Sequence, residues 1–310
     1  MRRVVLIILV LVAAGSVVYG ATDGIRFLFA VNGFRGGTKF NKVVDLAVDD
    51  SHNLVFVCDS GDGKIYAFNR QGIPKFEIGK AEMIDSPVAI AVDHVGNLYV
   101  AEQKNYKIKV LNRENKLIRV IDVRDEAGED TVIGRMSLGR NDDLYVTDTY
   151  GERVLVFDKD GKLRLKFGAS GSSRGQFQTI DDVAVDRQNR IYVTDSTGTP
   201  VQVFDQTGKF IYRFGTRGPL DEDFVQPSGM TVDRFDQLWV VDYAAHRVRI
   251  YDRLGFFLTV FGDYGMGEGS FYYPFRIKLD NLGRAYVLES GLRRLQVFTI
   301  DRPFQPFERR

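Results

Sequence analysis

Six strings in this chain stack on one another: DLAVDDSHNLVFVCD, IAVDHVGNLYVAE, MSLGRNDDLYVTD, VAVDRQNRIYVTD, MTVDRFDQLWVVD and IKLDNLGRAYVLE. Aligned at Asp49, Asp93, Gly139, Asp186, Asp233 and Asp280, they recur at spacings of 44, 46, 47, 47 and 47 residues. A period of this length is the mark of a fold built by repetition, and it outranks any local motif. Each unit continues alike, with a β-branched and aromatic stretch ending in an acid, a short turn, a stretch such as RVLVFD, a turn such as DKDGK, and a last stretch ending in FG. Alternation within LYVTD and RVLVFD is the period-two pattern of short antiparallel strands. Four strands per unit cannot bury both sheet faces alone, so six such sheets must pack around an axis as the blades of a propeller, and the ring must close.

The ends of the chain say how it closes. The sixth unit reaches its third strand at Arg294 to Ile300 and has no fourth, while IRFLFAVNG, Ile25 to Gly33, precedes the first unit. The expectation is an all-β, six-bladed propeller over residues 25–300 in which the N-terminal strand completes the last blade and removes an open sheet edge. Residues 301–310, DRPFQPFERR, form a tail whose two prolines space Phe304 and Phe307 and which is expected to cover the base of the ring.

Before the propeller stands MRR, followed by the apolar run Val4 to Tyr19 with small residues at its end. This reads as a signal peptide cleaved after Gly20, or as a retained anchor, since sixteen apolar residues are slightly short of the roughly 20 that span a bilayer. Either reading places the propeller outside the cytoplasm, at the cell envelope, with membrane contact only through residues 1–20. Charge nearly cancels, 42 Lys plus Arg against 41 Asp plus Glu, so nothing advertises a nucleic-acid partner. The lone Cys58 permits no intrachain disulfide.

The pattern FG..G...G.F..P....VD..G.LYV.D....RV.VFD..G resembles the NHL repeat, and residues 25 to 300 are similar to six-bladed NHL propellers. The resemblance implies a protein-binding scaffold, a sensor ectodomain, an RNA binder or, in a few branches, a metal-dependent lyase. The chain departs from the pattern at Gly139 and in the link DVRDEAGEDTVIG from unit two to unit three, which lacks the FG..G element.

Residues shared by all units are expected to build the scaffold. The acids Asp59, Glu102, Asp148, Asp195, Asp242 and Glu289 are followed five residues later by Lys64, Lys107, Arg153, Pro200, Arg247 and Arg294, which suggests an ion pair across each turn. Cys58 reads as a small buried thiol. His52 and His94 fall in turns at one end of the blades and His246 at the other, so they cannot converge on zinc. GSSRG, Gly171 to Gly175, matches GxSxG but lies between two strands, where no nucleophile elbow forms. Asp122, Asp125, Glu126, Glu129 and Asp130 could offer oxygens to calcium but lack the regular spacing of a calcium loop, and a solvated loop is favoured.

Residues that differ between blades point to function. Four positions before each anchor stand Asp45, Ala89, Arg135, Asp182, Gly229 and Arg276, and two positions further in stand Ala47, Ala91, Ser137, Ala184, Thr231 and Lys278. Asp45, Arg135, Asp182 and Arg276 should ring one mouth of the central channel, with Asp181, Phe275 and Lys278 adding selectivity. The competing reading is that Arg135 with Asp182 and Arg276 with Asp45 neutralise one another and plug the channel. The leading function is a binding module for a protein or a polar ligand such as a glycan, with no catalytic residues and no metal. The alternative is a lyase or lactonase-type hydrolase using one calcium in the channel.

Overall fold

The computed structural model describes residues 24–80, 84–301 and 304. The signal or anchor segment over 1–20 lies outside the described residues, as does the tail apart from Asp301 and Phe304. Among the described residues, twenty-four strands form six four-stranded antiparallel sheets. In five of them the strands run in chain order, as in Val43–Asp49, Leu54–Asp59, Lys64–Asn69 and Pro74–Ile78. The sixth sheet has Pro274–Leu279, Arg284–Glu289 and Arg294–Ile300, and its outermost strand is Ile25–Val31 from the other end of the chain. The expected closure is therefore present, with Ile25 opposite Ile300 and Val31 opposite Leu295.

The first strand of every blade lies innermost and touches that of the next blade, the sixth returning to the first. Apolar side chains from facing sheets fill the seams: Tyr145, Val154 and Val156 of blade three meet Val183, Val193 and Phe204 of blade four. Outer strands alternate instead, as in Leu163–Phe167, because one of their faces meets water. The pairing gives the ring two distinct faces. Val43 opposite Asp59 marks the loop face, where blades are linked and second strands turn into third. Asp49 opposite Leu54 marks the turn face, which also carries both ends of the propeller, Gly24 O accepting from Asp301 N at 2.8 Å.

Three local expectations need correction or gain a reason. The recurring acids are all buried, but only Arg153 to Asp148 and Arg294 to Glu289, both 2.7 Å, make the expected pair. In blades two and five the cation comes from seven positions on, Lys109 to Glu102 at 2.9 Å and Arg249 to Asp242 at 2.6 Å, while Lys64, Lys107 and Arg247 turn to other acids. Backbone amides are the constant partners. Asp195 accepts from Gln178, Thr179, Thr197 and Gly198 N–H groups at 2.7 to 3.2 Å, clamping the incoming link to the following turn. The link DVRDEAGED is no plain loop: Val123–Ala127 is a single helical turn capped by Asp122, with Val123 and Ala127 buried where other blades use the FG link. Phe304 of the tail lies edge-on to Trp239, with ring centroids 5.8 Å apart.

Candidate functional site

The inner strands bring Asp45, Arg135, Asp181, Asp182, Arg276 and Lys278 to the channel, in two layers. In the layer nearer the loop face, Asp45 is 3% exposed and accepts from Leu46 N and Ile90 N, both at 2.9 Å. Asp182 repeats this with Val183 N and Met230 N, also at 2.9 Å. Each carboxylate thus staples its own inner strand to that of the next blade. Arg135 donates to Val44 O at 2.9 Å and Val88 O at 3.1 Å, crossing to blades one and two. Arg276, 2% exposed, donates to Phe275 O at 2.8 Å and lies 3.5 Å from Asp45 and 3.4 Å from Asp181. Phe275 stacks under that guanidinium at 5.6 Å.

The charges therefore pair with one another across the channel. Arg276 meets Asp45 as the neutralising reading has it, but Arg135 approaches Asp181, at 4.0 Å, and not Asp182. Burial raises the carboxyls of Asp45 and Asp182 against the pull of Arg135 and Lys278. Asp181 is pushed up to about 6, by burial first, with Arg135 opposing. Two threonines that the sequence reading passed over join these groups. Thr147 Oγ1 accepts from Arg135 N at 2.8 Å and donates to Asp181 O at 3.0 Å, and Thr194 Oγ1 links Asp182 N to Ser228 O at 2.9 Å each. They occupy the column of Cys58, a buried thiol that its surroundings hold well above the usual range.

The second layer is a cavity of about 210 Å³ walled by small side chains, among them Ala47, Ala91, Ser137, Ala184 and Thr231. Lys278 reaches into it. A second concavity of about 290 Å³ shares the walls Leu138, Val185 and Val232 and opens on the turn face.

On the loop face, beside Phe275, lies a feature the sequence reading did not single out. Ring centroids of His246 stand 4.6 Å from Tyr273, 4.9 Å from Tyr264 and 6.1 Å from Tyr272, and Tyr243 is 5.0 Å from Tyr273. Tyr264 is 66% exposed, so the cluster is a terrace and not core. His246 Nδ1 accepts from Tyr273 N at 3.0 Å, and burial lowers its pKa. The run FYYP before an inner strand was the available signal, but it is readable only when His246 and Tyr243 are known to share its seam.

Other candidates resolve into structure. His52 pairs with Asp49 at 2.7 Å and His94 with Asp142 at 2.6 Å, far from His246 in the fold. GSSRG borders an open groove of about 590 Å³, where Arg217 is spent on the carbonyls of Gly198, Val225 and Asp195. Among the described residues no cluster of three or more His, Cys, Asp or Glu could hold a metal ion.

Among solved structures, virginiamycin B lyase from Staphylococcus aureus is similar at 14% identity and a TM-score of 0.64, over 89% of this chain and 99% of that one. A Bacteroides thetaiotaomicron protein of unknown function gives 17% and 0.69, over 87% and 72%. A gluconolactonase from Xanthomonas campestris gives 13% and 0.65, over 91% and 96%. At these identities the likeness is one of fold. No curated protein matches the chain. The sequence matches the 6-bladed beta-propeller family over residues 96–196 and 187–253, just over half of its length, and with its six closed blades this chain belongs to that family.

Proposed function

We propose that this propeller is a binding module of the cell envelope, of NHL type, which takes a polar ligand of the glycan class on its loop face. The observation that carries this is the terrace of Tyr243, Tyr264, Tyr272, Tyr273 and His246 beside the channel mouth. Rigid aromatic rings with polar tips supply contact area at low entropic cost and still hydrogen-bond, which suits a sugar ring with one apolar and several hydroxylated surfaces. Arg135 and Asp181, each about a quarter exposed at 23% and 26%, add polar groups at the channel end of the terrace. A glycan array probed with the full chain should retain a defined set of oligosaccharides, and Tyr264→Ala with Tyr243→Ala should weaken that retention at least tenfold with an unchanged melting temperature. An array without retained glycans would overturn the reading.

A second reading, a lyase or lactonase, is favoured by the raised carboxyl of Asp181 and by the fold shared with virginiamycin B lyase and gluconolactonase. A carboxyl titrating near 6 is suited to proton transfer near neutral pH. Calcium does not fit here: it needs six to eight oxygens, while both oxygens of Asp45 and of Asp182 are held by backbone amides and Asp181 faces two guanidiniums. Lactone opening abolished by Asp181→Asn would favour this reading over the first.

A further inference from the structure

We infer that the turn face holds a binding site for a small molecule carrying two or more acid groups, one reaching into the channel to Lys278 and the others held by Arg140, Arg187 and Arg234. The three arginines occupy the same position, one residue past the anchor, on adjacent blades three, four and five, and all line the concavity of about 290 Å³. All three are exposed, and none pairs with a carboxylate among the described residues. Arg140 and Arg234 make long bonds to carbonyls, 3.5 Å to Arg187 O and 3.3 Å to Asn281 O, and Arg234 also lies over the Phe235 ring at 4.9 Å.

The acids around them are already satisfied. Asp50 is taken by Arg70 at 2.6 Å and Asn281 N at 3.0 Å, and Asp186 by Arg190 at 2.6 Å. Asp233 accepts from Phe235 N, Gln237 N and Trp239 Nε1, and Asp280 from Leu282 N, Arg284 N and the Tyr286 hydroxyl. Half of the rim is thus cationic without internal neutralisation. Lys278 sits three residues before the rim position of its own strand, roughly 10 Å deeper at about 3.3 Å per residue. Among the described residues it makes no ion pair within 4 Å, although Asp45 and Asp182 both feel its charge. The cavity that it enters, about 210 Å³, carries the hydroxyls of Thr231 on the adjacent blade and Ser137 on the opposite one, and shares the walls Leu138, Val185 and Val232 with the rim concavity. Arginine forks suit planar carboxylates and phosphates, and a recessed amine selects a ligand thin enough to enter. The site is independent of the terrace on the opposite face.

Isothermal titration of the full chain at low ionic strength, with citrate and with pyrophosphate as probes, tests this. One of the two should bind with one-to-one stoichiometry, at least tenfold more tightly than acetate or inorganic phosphate, and should weaken as salt is raised. Which of the two binds distinguishes a carboxylate ligand from a phosphate one. Arg187→Gln and Lys278→Met should each weaken binding at least tenfold, while Arg174→Gln on the loop face should change it less than twofold. Arg187→Gln alters an exposed side chain, so it keeps the test decisive if Lys278→Met fails to fold. No saturable binding of either probe would overturn the proposal, as would an Arg174→Gln effect equal to that of Arg187→Gln. So would retention on phosphatidylserine vesicles with neither probe bound.

Discussion

At the scale of single residues, the scaffold is held by carboxylates aimed at backbone amides. Asp195, 1% exposed, accepts four N–H groups from two loops, and Asp195→Ala would leave several of them buried without a partner. At about 1–3 kcal/mol for each such group, partly relieved by relaxation, urea denaturation should show a loss of about 3–5 kcal/mol. The acid column was legible in the sequence, but its partners were not, because an amide donor leaves no side-chain signature and the spacing of five suggested a cation instead. Asp181 carries a pH prediction. Its folded pKa of about 6 lies above the unfolded value of 3.8, so between these the native chain holds a proton that the unfolded chain has released. Its stabilising contribution is complete below the unfolded value and is lost as pH rises through about 6. The stability of wild type relative to Asp181→Asn should therefore fall between pH 4 and pH 7, and a difference independent of pH would show that the carboxyl is ordinary.

At the scale of elements, the turn between third and fourth strands decides how blades stack. In DQTGK, Gly208 has φ +77°, and a Cβ there would stand 2.7 Å from the ring of Phe167 in the preceding blade. Gly255 meets Phe214 in the same way, and Gly161 meets Ile121. Gly208→Ala should therefore cost about 1–3 kcal/mol, from the left-handed backbone and the contact together, read as a lowered melting temperature. Blade two has Asn115 in the equivalent place, at φ 59°. Asn115→Gly relieves that backbone against the added freedom of the unfolded chain, and calorimetry should show a net gain of about a few tenths of a kcal/mol. The turns were readable because Asp, Asn and Gly announce them. The terrace was not, since its tyrosines and histidine come from two separate loops, 243–246 within blade five and 262–273 between blades five and six, and no period joins them. The arginine arc stood in the repeat alignment at Arg140, Arg187 and Arg234, yet its lack of neutralising partners emerges only once every nearby acid is seen to be engaged.

At the scale of the whole molecule, the ring depends on one strand from the opposite end of the chain. Ile25–Val31 does for blade one what the fourth strands of other blades do for their neighbours: the ring of Phe29 lies where a Cβ on Gly72 would meet it at 2.7 Å, as Phe167 does for Gly208. Phe27 packs edge-on against Phe298 at 5.9 Å, and Phe29 and Val31 join the seam between blades six and one. Removing this strand would expose Arg294–Ile300 as a free edge and leave the seam open on one side. Because the strand adds its hydrogen bonds and its apolar burial to a closed structure, both are lost together. A chain deleted for 25–31 should melt at least roughly 10 °C lower than the full chain and should self-associate, given about 2–4 °C per kcal/mol for domains approaching this size. Deletion of 1–20 should leave the melting temperature within about 2 °C, since the latch begins after it. The double variant Phe29→Ala with Val31→Ala keeps the strand's backbone pairing and removes only its share of the seam, so it should fall between the two. Equal melting temperatures for all four chains in calorimetry would mean that blade six closes without the N-terminal strand.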